Sequence, residues 1–206
     1  TSGSIYMKDV AFDMNLFDDI PEDVRVICSY NAEYWEYINS ADSSGSHYTV
    51  SVGSGVNNGY YLAADSEGRI CFTSTNAATV VQPILANGNT VYFSSGTFTF
   101  NWVANLISGS VYPYSLLANS VSGLKLIGSG QTIFKMGDSQ NINIIILNNC
   151  NNITVQGIAW DGNKANNPST GTSHLFGNAI ITLGSTTSVT VEKCYFANVK
   201  GHPVII

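Results

Sequence analysis

The chain has 206 residues, 44% of them hydrophobic and only 11% charged, with 14 acidic against 8 basic side chains and a formal net charge of −6. An ordinary soluble domain carries roughly 25% charged residues, and a disordered tail has high net charge with few apolar groups, so this chain is built to bury a core. Its 19 glycines show no three-residue period, which excludes collagen; the aliphatic run Ile144-Ile145-Ile146-Leu147 is far too short for a membrane span; and the negative balance argues against a nucleic-acid partner, which needs clustered Lys and Arg.

The charge is unevenly spread. Residues 1–70 hold eleven acids and three bases, whereas residues 71–206 hold Asp138, Asp161 and Glu192 against five lysines. That shift divides the chain into an expected acidic N-terminal module, 1–75, and a nearly neutral second unit, 76–206. Polar positions in the second unit are mostly Asn, Ser, Thr and Gly, a surface suited to an extracellular or virion setting and to neutral, sugar-like ligands. The four cysteines, Cys28, Cys71, Cys150 and Cys194, are too few for a disulfide scaffold, and no CxxC pair points to zinc. No metal or cofactor is expected, and Cys28 with Cys71 is the one candidate bridge.

In the first unit, the acidic stretch Asp18-Asp19-Ile20-Pro21-Glu22-Asp23 lacks the glycine and closing glutamate of a calcium loop and reads as a solvated turn. Val24, Val26 and Cys28 alternate as in a strand, and residues 31–40 carry Tyr34, Trp35, Tyr37 and Ile38 at the spacing of a short amphipathic helix. From about 46 to 73, alternating Tyr48, Val50 and Val52, then Tyr60 to Ala63, then Arg69 to Phe72, separated by Gly- and Asn-rich turns, predict a small β-meander.

The pattern then changes. Val80, Val81, Ile84 and Leu85 follow the candidate N-caps Ser74, Thr75 and Asn76, which predicts a short helix that Pro83 breaks or kinks. Thr90-Val91-Tyr92-Phe93 and Thr97-Phe98-Thr99-Phe100 read as strands. Beyond them the chain repeats. Leu124, Ile153 and Val189 fall in one column, and Leu126, Val155 and Val191 in another, at offsets of 29 and 36 residues. A second strand precedes the last two rows, with Ile145 placed over Ile181, and a further strand starts at Val204. No single row can bury its inner face alone. Stacking the rows about 4.8 Å apart closes the ladders and joins the inner faces into one core, with Asn and Ser ladders at the turns. The fold class is therefore all-β, an incomplete parallel β-helix preceded by the meander module and a capping helix. A β-sandwich explains the strands but not the aligned columns.

The segments Thr90-Val91-Tyr92-Phe93-Ser94-Ser95-Gly96-Thr97-Phe98 and Val121-Ser122-Gly123-Leu124-Lys125-Leu126-Ile127-Gly128 resemble the opening of the pectate-lyase superfamily, whose fold is the right-handed parallel β-helix. Asn152-Ile153-Thr154-Val155-Gln156-Gly157-Ile158-Ala159-Trp160-Asp161 looks like its next coil, and residues 60–85 are similar to the module that precedes such helices in surface and tailspike-like proteins. The resemblance covers roughly 60–206. It implies fold more than activity, since the same fold hosts lyases, hydrolases, tailspikes and adhesins.

Lyases of that family use a base, often beside carboxylate-held calcium, yet Arg25 and Arg69 both precede the repeat. Hydrolases need two carboxylates about 5–9.5 Å apart. The column arithmetic sets Glu192 over Gln156 and Asp161 under Ala197, which separates the two acids by about 16 Å along an extended strand. Asp161-Gly162-Asn163 ends a strand and opens a long loop, where a ligand can dock, although a turn closed by its own hydrogen bonds explains the same residues. His174 lies in that loop, and with Asp161, Asn163 and Glu192 completes the ligand-binding set.

Because the chain stops within a coil at Val204-Ile205-Ile206, the expectation is that the protein continues, or that self-association or a capping partner covers that end. The functional expectation is an extracellular or virion-surface module, a spike, fibre or adhesin, that contacts a polysaccharide or cell-surface glycan without cutting it. The alternative is a polysaccharide lyase or glycoside hydrolase whose active-site coils lie mostly beyond residue 206.

Overall fold

The computed structural model describes residues 46–107, 111–167 and 177–205. The strand expected at Val24 to Cys28, the helix expected over 31–40, the acidic turn at 18–23, and His174 lie outside those residues.

The described chain is mostly β, with parallel sheets and one short helix. It begins as the expected meander. Strands β1 (His47–Val52), β2 (Tyr61–Asp65) and β3 (Ile70–Ser74) pair antiparallel. The β2–β3 turn is tied by Asp65, whose carboxylate accepts from the backbone N–H of Glu67 and Arg69, each at 3.0 Å, and from Arg69 Nε at 2.7 Å. Burial works the other way, but these bonds hold the Asp65 carboxyl below the usual carboxylate range.

Helix α1 (Ala77–Val81) follows, with the Asn76 side chain accepting from Ala78 N at 3.0 Å as its N-cap. Ala77, Ala78, Val80 and Val81 are all buried. Pro83 ends the helix as expected: the chain tightens into a 3-10 turn, Gln82–Ile84, with the proline near its start. Gln82 then acts as a surrogate strand, because its amide donates to Leu117 O and accepts from Leu117 N, both at 2.8 Å. Backbone groups that would otherwise lack a partner are satisfied by one side chain.

The remaining strands are β4 (Thr90–Phe93), β5 (Gly96–Phe100), β6 (Ala104–Ile107), β7 (Val111–Asn119), β8 (Lys125–Met136), β9 (Asn143–Asn148), β10 (Asn151–Asp161), β11 (Ile180–Leu183), β12 (Thr187–Glu192), β13 (Tyr195–Ala197) and β14 (Val204–Ile205). They form two sheets. One runs β12-β10-β8-β4-β1-β2-β3, with β5 on β8 and β13 on β10; the other runs β14-β11-β9-β7-β6. From β8 onward the chain passes from the first sheet to the second and back. Each return pairs parallel with the strand one circuit earlier. The meander joins this arrangement through β1, which pairs parallel with β4.

The first-sheet columns have the expected register. Val155 lies opposite Leu126 and Val191, and Ile153 opposite Val189. The second sheet corrects the sequence reading by one residue. Ile145 lies opposite Ile180, not Ile181, and Ile181 opposite Ile146. A one-residue slip exchanges the two faces of a strand. Leu116, Ile145 and Ile180 accordingly join the core, whereas Ile146 and Ile181 are buried outside the core cluster.

Inside the first sheet runs a line of aromatic rings. Phe98, Phe134, Trp160 and Phe196 occupy one register column, with successive centroids 6.1, 5.0 and 6.1 Å apart. Phe93 and Phe100 pack on Phe134 at 4.8 and 4.7 Å.

Turns are stacked as well. Gly88, Gly123, Asn152 and Ser188 all have positive φ and follow one another rung by rung, as do Ser120, Asn149 and Gly184. Asparagine tolerates that conformation better than most side chains. The expected side-chain ladders are present: Asn148 Nδ2 donates to Asn119 Oδ1 at 2.7 Å, and Asn178 Nδ2 to Asn143 Oδ1 at 2.7 Å. The β8–β10 pairing breaks once, where residues 128–131 oppose Gly157 alone. Here the backbones nearly touch, and a Cβ on Gly128 would sit 2.4 Å from Gly157 O.

Cys71 is an exposed free thiol, and Cys28, its candidate partner, lies outside the described residues. Cys194, expected to be buried, is only half-buried, because its rung forms the outer edge of the first sheet. Cys150 is fully buried, and burial pushes its thiol up. Iodoacetamide in native buffer should therefore label Cys71 and leave Cys150 untouched until denaturant is added; equal labelling of the two by peptide mass spectrometry would contradict this packing.

Candidate functional site

Three of the strands end at one polar corner: β8 at Met136, β10 at Asp161 and β13 at Ala197. Asp161 lies opposite Lys135 on one side and Ala197 on the other. Beyond it the chain passes so close to its neighbour that a Cβ on Gly162 would meet Asn198 O at 2.5 Å. Asn163 then adopts a left-handed conformation with φ of 48°, and its N–H donates to Asp161 Oδ1 at 2.9 Å. This is the locally closed turn that the Asp-Gly-Asn sequence allows.

The side chain of Asn163 reaches back one rung. Its Nδ2 donates to Met136 O at 3.0 Å and to Asp138 Oδ1 at 2.7 Å, and Asn166 Nδ2 donates to the same Asp138 oxygen at 3.2 Å. Asn198 Nδ2 donates to Asp161 Oδ1 at 3.0 Å. Asn167, only 2% exposed, fastens the loop from beneath. Its Nδ2 donates to Gly137 O at 2.9 Å and Asn163 O at 3.2 Å, its Oδ1 accepts from Gln140 N, and its own carbonyl accepts from Lys200 Nζ at 2.6 Å. Gln140 in turn accepts from Trp102 N at 2.8 Å.

Of the residues singled out from sequence, Asp161 and Asn163 meet here. Glu192 does not. It lies opposite Gln156, as the column arithmetic required, exposed and away from the corner. The acid that does meet Asp161 is Asp138, which shares Asn163 with it and was not in the sequence-derived set. The signal was obscured by the insertion at 128–131. That insertion shortens the β8–β10 offset from 29 residues before the break to 26 after it, so arithmetic carried over from the earlier columns misplaces everything beyond Ile127.

Chemically the corner is an array of fixed acceptors. Each carboxylate spends Oδ1 on asparagine donors, while the Oδ2 atoms of Asp138 and Asp161 make no hydrogen bond among the described residues. Strand alternation puts Ile133, Lys135, Ala159, Asp161 and Tyr195 on the outer face, because Phe134, Trp160 and Phe196 fill the inner one. Tyr195 is 68% exposed, and Trp102, across the corner, is 54% exposed. Among the described residues no group of three or more His, Cys, Asp or Glu side chains is placed to hold a metal ion.

No family model, curated protein or solved structure matches the chain. No helix among the described residues is long and apolar enough to cross a membrane.

Proposed function

We propose that this chain is a rigid surface module, a spike, fibre or adhesin-like element of an extracellular or virion surface, built as a right-handed parallel β-helix of the pectate-lyase type. Its corner contacts a polysaccharide or cell-surface glycan without cutting it. The observation that carries the reading is the outer face at Asp161, which half-buried Lys135 shares from the opposite strand position and exposed Tyr195 from the position opposite Ala159, with the Asp161 carboxylate held by Asn163 and Asn198. A flat aromatic face with a few fixed polar groups is suited to a sugar ring, whose axial hydrogens pack on the aromatic while its hydroxyls find acceptors. The fold assignment is supported by the alternation of the chain between two parallel sheets and by the interior aromatic line. The same reading places self-association or a capping partner against β12, β13 and β14, where Val189, Val191, Phe196 and Val204 are only partly covered.

The test is saturation-transfer NMR with a panel of neutral and acidic oligosaccharides. Transfer to sugar protons that is lost in Tyr195→Ala and weakened in Asp161→Asn is the expected result. Transfer unaffected by both changes, or none across the panel, overturns the proposal.

A glycoside-hydrolase reading is favoured by one observation, the convergence of Asp138 and Asp161 on Asn163. It predicts release of reducing ends from a bound polysaccharide, abolished by either Asp→Asn change.

A further inference from the structure

The sequence contains two Asn-Gly steps, Asn58-Gly59 and Asn87-Gly88, and the fold treats them oppositely. Loss of ammonia from such a step begins when the following backbone nitrogen attacks the asparagine Cγ. The attack needs a free side-chain amide, a free N–H and room for the backbone to turn. Glycine provides that room because it has no Cβ.

At Asn87-Gly88 all three are denied. Asn87 Oδ1 accepts from Ser122 N at 2.7 Å, Gly88 N donates to Ser122 O at 2.8 Å, and Gly123 packs against the Gly88 backbone at 3.5 Å from where its own Cβ would be. The step is clamped to the next rung on both of its reacting groups.

Asn58-Gly59 has none of these restraints. It lies in the β1–β2 connection, and both residues are exposed. The neighbouring N–H groups are engaged, Asn58 N with Gly55 O at 3.1 Å and Tyr60 N with Asn57 O at 3.0 Å. The Asn58 amide and the Gly59 N–H make no hydrogen bond among the described residues. Gly59 has φ of 84°, and nothing lies within 4 Å of where its Cβ would be.

We propose that Asn58 is a self-modifying site of the folded protein. Gly59 N forms a bond to Asn58 Cγ, the Cγ–Nδ2 bond breaks, and the nitrogen leaves as ammonia with the Gly59 proton. Water then opens the resulting five-membered imide at either carbonyl, giving aspartate or isoaspartate. No oxidant, enzyme or metal takes part. The product places a new negative charge beside Tyr60 and Val56, at a turn otherwise made of neutral residues. Its isoaspartate form lengthens the backbone by one atom next to the Gly53 N to Tyr60 O bond, 2.7 Å, that closes the hairpin. The hairpin therefore carries a mark of the molecule's age.

The experiment is incubation of the folded chain at mildly alkaline pH, with peptide mapping over time and a parallel sample in denaturant. In the folded sample the peptide holding Asn58 should gain one mass unit, mostly as isoaspartate, while the peptide holding Asn87 stays unchanged. In denaturant the two should convert at similar rates. Asn58→Gln, which would have to close a six-membered ring and leaves Gly59 at its φ of 84°, should slow the folded-state reaction several-fold without altering the far-UV spectrum. Equal rates at the two steps in the folded protein, or an unchanged Asn58 peptide while denatured Asn87 converts, overturns the proposal.

Discussion

Replacing Trp160 with alanine is expected to lower stability by about 3–5 kcal/mol, the range for truncating a large buried aromatic. For a chain of this length that is a fall in melting temperature of roughly 6–20 °C. Trp160 is 1% exposed and sits at the middle of the ring line, edge-on to Phe134 at 5.0 Å and stacked on Phe196 at 6.1 Å. Its removal opens a cavity between two rungs instead of trimming one, so both neighbours lose a packing surface. The indole Nε1 is buried with no hydrogen-bond partner among the described residues, so nothing polar is lost with it. Trp160→Phe, which keeps a ring and removes that unpartnered N–H, should therefore lose much less than alanine. Thermal unfolding followed by circular dichroism measures both; a W160A loss under about 1 kcal/mol would mean that the line of rings is not what holds the rungs together.

Removing the amide of Asn167 comes second in size. Each buried polar group left without a partner costs about 1–3 kcal/mol. Asn167→Ala strands the carbonyl of Gly137 and the N–H of Gln140 and leaves Asn163 O with Asn166 N alone, so a loss on the order of 3 kcal/mol is expected. Asn167→Asp separates donor from acceptor. It keeps an acceptor for Gln140 N but turns an ionised oxygen toward Gly137 O, so at neutral pH it should be as damaging as alanine. On acidification the protonated carboxyl can donate again, and N167D should recover part of its stability while N167A does not. Denaturant titrations at two pH values decide the matter. Because Asn167 also fixes the loop that carries Asn163, both variants should loosen the Asp138 and Asp161 carboxylates, which hydrogen exchange at Asn163 N would register.

Which parts of this arrangement could be read from the chain follows from the physics of in-register stacking. Parallel rungs put like residues at fixed offsets, so Leu126, Val155 and Val191 align in sequence because they touch in space. The second sheet was read one residue out of phase because Ile144 to Leu147 is an unbroken aliphatic run. Period-two alternation is what reveals a face, and such a run has none. The Asn76 cap, the Pro83 stop and the Asp161-Asn163 turn were legible because each depends on neighbours a few residues away. The corner was not. Asn167 bonds to Gly137 and Gln140, and Asp138 to Asn163, across an offset that the 128–131 insertion had changed. Asparagine also has no sequence pattern that separates a buried brace from a surface turn.

The even spacing of the columns bears on how the chain reaches this state. Tyr92, Ile127, Gln156 and Glu192 form one column, and successive members are 35, 29 and 36 residues apart. Loop-closure entropy grows only logarithmically with length, so the closures in this series differ by about 0.2 kcal/mol. No rung is therefore entropically privileged over the next. Once a first pairing exists, each later one presents the same modest barrier against a surface already formed. Assembly should then proceed as a sequence of near-equal steps, and unfolding should reverse them, with β12, β13 and β14 releasing their amide protons to solvent before β8 and β10 do.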